Sequence, residues 1–141
     1  MVADMAYRDR AITCPRCKVE LQRHEVSERW RCAKCAGIAA GVSDIVRELL
    51  VIAPDLLPAG GVAGLTTLGR RSAITLTCPA CGAPMEPVFL GGVDVDRCYH
   101  DELIWFDDVE LDRVLDIARA QREARHQSWL GRLAAALFGA G

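Results

Sequence analysis

Seven cysteines stand out in this chain of 141 residues because six of them form three C-x-x-C pairs. The pairs are Cys14 and Cys17, Cys32 and Cys35, and Cys78 and Cys81, while Cys98 stands alone before His100 and Asp101. A C-x-x-C turn holds two thiolates about one tetrahedral edge apart, so two such turns that face each other complete a closed zinc site. The spacing of the first two pairs therefore predicts a four-thiolate zinc site.

The same cysteine pairs also occur in thiol oxidoreductases. A thioredoxin-like site places its C-x-x-C after a buried strand, at the start of a helix within a βαβ unit. Neither Cys14–Cys17 nor Cys78–Cys81 has that context, because each leads through a short alternating stretch into another cysteine. This pattern favours a β-hairpin between zinc knuckles over a redox enzyme.

The chain repeats this arrangement with an offset of 64 residues at the first cysteine pair and 66 from Cys32 onward. The alignment places Cys98 on Cys32 and Asp101 on Cys35. In the second copy Gly91-Gly92 predicts a hairpin turn, and the alternation from Val93 to Asp96 predicts a strand that enters Cys98.

The second copy resembles the TFIIB-type transcription factor zinc-finger family of short bacterial zinc ribbons. The resemblance rests on Cys-Pro-Ala-Cys at 78–81, Val-Asp-Arg-Cys at 95–98 and Ile-Trp-Phe-Asp-Asp-Val-Glu-Leu at 104–111. The first copy matches the cysteine framework better than the remainder, since Ala39 and Gly41 stand at the Trp and Asp positions. The resemblance implies a zinc ribbon and does not by itself imply DNA binding.

Two residues are candidates for the fourth ligand of the second site. Register from Trp105 places Asp101 at the last cysteine position, whereas His100 is chemically the commoner partner of three thiolates. We favour His100 slightly, with Asp101 as the alternative ligand or as an acceptor behind it. A fourth position filled by water is the third alternative. Two zinc ions, one per ribbon, are expected.

The elements around these sites predict a small α+β fold with two tandem zinc ribbons and a C-terminal helix. Residues 1–53 form the first ribbon and its helix, 54–72 a linker, 73–118 the second ribbon and its helix, and 119–141 a basic and apolar helical tail. Ser43 is the expected N-cap of a helix over 44–53. Asp107 is the expected cap of the second helix, with Glu110 as its capping-box partner.

Charge is unevenly distributed along the chain, which bears on its partners. Residues 78–118 carry two basic residues against ten acidic ones, and residues 119–141 carry four against one. The acidic second ribbon argues against nucleic acid as the main partner. The apolar end of the tail, from Trp129 to Phe138, is expected to fold back on the ribbons. Association of this segment with a partner protein or a second copy is the next alternative. Binding to a lipid surface is the least favoured.

The sequence therefore predicts a non-enzymatic zinc-ribbon protein that serves as a protein-interaction or regulatory module. Nucleic-acid binding and a redox- or zinc-responsive thiol site at the incomplete second ribbon are the alternatives. No apolar run is long enough to cross a bilayer and the first residues lack a signal peptide's apolar stretch, so a cytoplasmic location is expected.

Overall fold

A computed structural model of the chain describes residues 11–24, 27–54, 66–69 and 74–139. Within these residues the strands are β1 (Gln22–Arg23), β2 (Arg29–Arg31), β3 (Ile38–Gly41), β4 (Thr66–Leu68), β5 (Glu86–Leu90), β6 (Val93–Cys98) and β7 (Leu103–Phe106). They form one antiparallel sheet through both cysteine-rich halves, in the order β1-β2-β3-β7-β6-β5-β4. The helices are α1 (Val42–Ile52) and α2 (Glu110–Phe138). This is the small α+β fold with two ribbons and a C-terminal helix that the sequence predicts.

The two ribbons join at the centre of the sheet, where β3 of the first pairs with β7 of the second. Ala39 lies opposite Trp105, and these two residues are each other's equivalents in the repeat. The neighbouring pairs are reciprocal, since Ile38 lies opposite Phe106 and Ala40 opposite Ile104. The register is that of two repeats related by a local two-fold axis between Ala39 and Trp105.

The two faces of the sheet carry different cores because side chains alternate along each strand. Along β7, Ile104 and Phe106 face the helices, whereas Leu103 and Trp105 face the cysteines. The helix face adds side chains of both helices and of the long hairpin, namely Val42, Ile45, Leu49, Val88, Leu90, Val93, Val95, Leu111, Val114, Leu115 and Ala118. Each ribbon therefore contributes to both cores.

The hairpin of the second ribbon turns at Gly91 and Gly92, as the sequence predicts. Both residues have positive φ, 59° and 92°, which a two-residue hairpin turn of this kind requires and which glycine adopts without strain. The linker prediction over 54–72 falls mainly outside the described residues. Of that segment, Thr66–Leu68 forms β4, which pairs with β5 at the edge of the sheet.

The starts of both helices differ from the sequence prediction. Helix α1 begins at Val42, so Ser43 lies within its first turn and does not cap it. The backbone N–H of Val42 instead donates to the carbonyl of Glu102 in the other ribbon, at 2.8 Å. Because an initial helical N–H lacks a partner in its own helix, this contact satisfies it from across the repeat.

Helix α2 begins at Glu110, and Val109 is its N-cap residue. Asp107 does not cap the helix, because its carboxylate binds Arg16 and Trp105 instead. The other half of the expected capping box is present, since the carboxylate of Glu110 accepts a hydrogen bond from the backbone N–H of Asp107 at 2.7 Å.

Helix α2 continues without a break through the predicted tail. Its buried residues are Leu111, Val114, Leu115 and Ala118, and every residue from 119 to 139 is exposed. The expectation that the apolar tail folds back on the ribbons is therefore wrong for the residues that the structure describes. No helix among the described residues is long and apolar enough to cross a membrane.

Candidate metal centres

The first cysteine cluster brings together Cys14, Cys17, Cys32 and Cys35, as predicted. Their sulfur atoms all lie within 4.8 Å of one another. The Sγ atoms of Cys14 and Cys35 are 3.7 Å apart, and four sulfurs at about 2.3 Å from a tetrahedral zinc ion are separated by about 3.8 Å. The ligand set therefore fits zinc in both chemistry and size.

The second cluster consists of Cys78, Cys81, Cys98 and Asp101. The Sγ atoms of Cys81 and Cys98 are 3.8 Å apart. Asp101 Oδ2 lies 3.3 Å from Cys78 Sγ and 3.7 Å from Cys98 Sγ, close to the edge of about 3.5 Å expected between one oxygen and one sulfur ligand of tetrahedral zinc. Three thiolates and one carboxylate complete this site.

His100 lies outside the second cluster, so the slight preference for it as fourth ligand is corrected to Asp101. The His100 side chain is 82% exposed, whereas that of Asp101 is 10% exposed. His100 Nδ1 is 3.2 Å from Asp101 Oδ1, the oxygen that does not face the sulfurs. His100 therefore contacts the ligand from behind, and Asp101 presents one oxygen to the site.

The backbone explains why Asp101 occupies the ligand position. In each of the four turns, the residue after the last ligand has positive φ, and these residues are Lys18, Ala36, Gly82 and Glu102. Such a residue is uncommon outside glycine, so the recurrence marks one shared turn geometry. Because Glu102 follows Asp101, the turn that begins at Cys98 ends at Asp101 and not one residue earlier.

Backbone N–H groups support the sulfurs in all four turns. Cys17, Cys35 and Asp101 each donate their N–H to the first cysteine of their own turn, at 3.2–3.4 Å. Ala80 donates to Cys78 in the third turn at 3.4 Å. Such bonds favour the ionised thiolate, which is the form that binds a metal.

Asp101 is ionised at neutral pH in this setting. Burial opposes its charge, but while the thiols of Cys81 and Cys78 carry their protons, hydrogen bonds from them outweigh burial and hold the pKa of Asp101 below its usual range. A carboxylate anion is a zinc ligand, whereas the neutral acid is a poor one. The fourth position of the second site thus carries a suitable donor.

Trp105 packs in the same core as cysteines of both metal sites. Its side chain is fully buried and its Nε1–H donates to Asp107 Oδ1 at 3.1 Å. A Cβ atom built on Gly37 would lie 2.2 Å from Trp105 Cζ2. Trp105 of the second ribbon therefore occupies the space beside Gly37 and Ala39, which explains why the first ribbon carries no tryptophan there.

An ion pair joins the first metal site to the start of α2. Arg16, between Cys14 and Cys17, donates through Nε and an Nη atom to the two oxygens of Asp107. Two further carboxyl groups, those of Asp96 and Glu110, lie close enough to interact electrostatically with Asp107 and with Arg16. Burial, reinforced by the charge of Asp107, raises the pKa of Asp96 to about 6 and that of Glu110 to about 7.

The sequence of the second ribbon matches a known family. Residues 77–117 match the family model described as transcription factor zinc-finger. This segment is similar to the zinc ribbons of that family. The cysteine cluster at 14–35 indicates a second ribbon in the same chain, consistent with the repeat. No curated protein and no solved structure matches the chain.

Each centre fits one zinc ion, which would be held by Cys14, Cys17, Cys32 and Cys35 in the first and by Cys78, Cys81, Cys98 and Asp101 in the second. A bound zinc ion would supply a cross-link between the two turns of each ribbon. The other two histidines take no part, since both His24 and His126 are exposed. The ring of His126 stacks on Trp129.

Proposed function

We propose that the protein is a non-enzymatic zinc-ribbon module in which the paired ribbons form a rigid support for helix α2. Both metal centres offer four protein ligands, and four ligands close the coordination sphere of zinc. Catalytic zinc sites instead keep one position for water or substrate. The ligand count therefore supports a structural role for the metal.

The exposed half of α2, residues 119–138, is the proposed interaction surface. An apolar stripe runs along it, formed by side chains that are 40–67% exposed, namely Trp129, Leu130, Leu133 and Leu137. Their spacing places them on one side of a helix of 3.6 residues per turn. Contiguous apolar surface of this kind marks a site of association, and it is the observation that carries the proposal.

We propose a second copy of the chain as the occupant of this surface, with the two exposed helices antiparallel. The last turn of α2 contains no basic residue to complement the negative end of the helix dipole. In an antiparallel pair, Arg119 and Arg122 of one copy lie near the last turn of the other. Like-directed helices would instead bring the arginines of both copies together, which is unfavourable.

A cleft beside this surface supports the same arrangement. It has a volume of about 740 Å³ and lies between Ala53 and Pro54, which follow α1, and helix α2. Trp129 and His126 line it from the helix side. Arg122, Arg125 and Arg132 also line the cleft, so it suits the negative end of a second α2, whose last turn has no basic residue.

Sedimentation equilibrium of the full-length, zinc-loaded protein tests the proposal. We expect a reversible monomer–dimer equilibrium at concentrations up to about 1 mM, a range that detects binding free energies of about −4 kcal/mol and stronger. Leu133→Glu should shift the equilibrium to monomer by placing a charge within the stripe. Ala135→Glu is the matched control, because residue 135 lies on the opposite side of the helix, and it should leave the equilibrium unchanged.

A monomer at every concentration would contradict the proposal, as would an equal loss of dimer in the two variants. Circular dichroism and zinc content of each variant establish that folding is retained. These controls separate a failed interface from a failed fold.

Nucleic-acid binding is the competing proposal, and the arginines of α2 favour it. Residues 119–138 carry four arginines and one glutamate. Such a helix would bind DNA or RNA with an affinity that falls steeply with salt. A gel-shift titration at low salt tests it, and the acidic second ribbon together with the apolar stripe leads us to expect no shift. A salt-sensitive shift lost in Arg122→Ala would favour this alternative over self-association.

A further inference from the structure

The two metal centres differ in exposure as well as in the fourth ligand. In the first centre two cysteines are buried and two are half-buried. In the second centre Cys78 and Cys98 are buried, but Cys81 is exposed to solvent. Among the cysteines of the two centres, Cys81 of the second centre is therefore the residue most open to a dissolved oxidant.

The fourth ligand makes the second centre the weaker one. Zinc is a borderline-soft ion that binds thiolates strongly, and a carboxylate oxygen is a harder donor. Both ligand sets carry four negative charges when ionised, so the difference arises from donor softness and not from net charge. Asp101 would bind zinc through one oxygen only, since its other oxygen faces His100. The exposure of Cys81 and the carboxylate ligand thus both make the second centre the more easily oxidised of the two.

We propose that the second centre is an oxidant-responsive zinc site, in which a hydroperoxide converts Cys81 and Cys98 to a disulfide and the zinc ion is released, whereas the first centre keeps its zinc. This inference concerns the metal centre and does not depend on self-association through α2.

The chemistry balances in two steps. The Cys81 thiolate attacks hydrogen peroxide, so that an S–O bond forms, the O–O bond breaks, and hydroxide leaves and is protonated to water. The Cys98 thiolate then attacks the resulting sulfenic acid, so that the S–S bond forms, the S–O bond breaks, and a second hydroxide leaves and is protonated to water. The two thiolates together lose two electrons, which hydrogen peroxide gains.

The geometry suits this pair of cysteines. The two sulfur atoms are 3.8 Å apart, and a disulfide requires about 2.05 Å, so they must approach by less than 2 Å. Once the disulfide forms, Cys78 and Asp101 are the two ligands that remain of the original four. Two donors from the protein do not complete a zinc site, so the ion leaves.

Native mass spectrometry of the full-length, zinc-loaded protein during a stepwise hydrogen peroxide titration tests the proposal. We expect one zinc ion per chain to be lost first, together with a Cys81–Cys98 disulfide identified by peptide mapping under non-reducing conditions. Asp101→Cys is the matched variant, because it gives the second centre the ligand set of the first. It should slow the first zinc loss, because four thiolates bind this borderline-soft ion more strongly than three thiolates and a carboxylate.

Three outcomes would overturn the proposal. They are simultaneous loss of both ions, a first disulfide among the cysteines at 14–35, and an Asp101→Cys variant that releases zinc as fast as the unmodified chain. The mapping on the unmodified chain stands by itself if the variant does not fold. Reversal of the zinc loss by a thiol reductant with added zinc would be expected, since a disulfide is reducible.

Discussion

Replacing Gly37 by alanine should test the contact between the two ribbons. The added Cβ would lie 2.2 Å from Trp105 Cζ2 and 2.6 Å from Cη2, whereas carbon atoms in favourable contact are about 3.5–4.0 Å apart. One of the two groups must therefore move by more than about 1 Å. Trp105 has no exposed surface, so it has no solvent-filled space into which to shift.

The expected cost is at the upper end of the range for overpacked cores, about 3 kcal/mol of the free energy of unfolding. Trp105→Phe alone should cost about 2 kcal/mol, because it leaves a cavity and removes the hydrogen bond to Asp107. The double variant should cost about 2 kcal/mol and not the sum of about 5 kcal/mol, since the smaller ring makes room for the methyl group.

Urea unfolding at a buffered free zinc concentration measures these energies, because zinc binding contributes to stability and must be held constant. Gly131→Ala serves as the control, since a Cβ there meets nothing within 4 Å and alanine is the better helix former by about 1 kcal/mol. A Gly37→Ala protein within about 0.5 kcal/mol of the unmodified chain, a typical effect of a surface change, would refute the proposed packing of Trp105 across the repeat.

Three further predictions concern charge and metal. Burial, reinforced by the negative charge of Asp107, raises the pKa of Glu110 from 4.5 to about 7, so its ionisation removes stability as the pH rises between those values. Glu110→Gln should therefore match the free energy of unfolding of the unmodified chain at low pH and exceed it by about 1 kcal/mol at pH 8. Urea unfolding across that pH range measures the difference, and equal stability of the two proteins at pH 8 would contradict the prediction. Arg16→Ala should lower the free energy of unfolding by only about 1 kcal/mol, since the side chains of Arg16 and Asp107 are 43% and 29% exposed. Arg16→Lys should recover less than half of that loss, because lysine cannot donate two parallel hydrogen bonds to one carboxylate. Full recovery by lysine in urea unfolding would exclude the two-point contact. Removal of zinc by a chelator should abolish the far-ultraviolet circular dichroism of the ribbons, and a native spectrum after complete metal removal would show that zinc does not hold the fold.

The cysteine framework and the repeat could be predicted from the sequence because ligand spacing is a local property. C-x-x-C turns and the Gly91-Gly92 hairpin depend on a few neighbouring residues, and the structure has them where the sequence predicts them. The choice between His100 and Asp101 required the turn geometry, because ligand chemistry favoured His100 and register favoured Asp101. The positive φ of Glu102 resolves it.

Contacts between the ribbons could not be predicted, since they depend on how the two repeats pack. Neither the pairing of β3 with β7 nor the position of Trp105 beside Gly37 has a local signal. Ala39 at the tryptophan position of the first ribbon was visible as a departure from the family pattern, but its cause lies in the other ribbon. For the same reason the sequence predicts a helix cap at Asp107, although Arg16 from the first ribbon binds its carboxylate.

Each ribbon is expected to hold one zinc ion, the second through Asp101. Native mass spectrometry of the reduced, freshly purified full-length protein measures this directly as the number of zinc ions per chain. We expect two ions. One ion or none would contradict this expectation, because one of the two four-ligand clusters would then not be a zinc site.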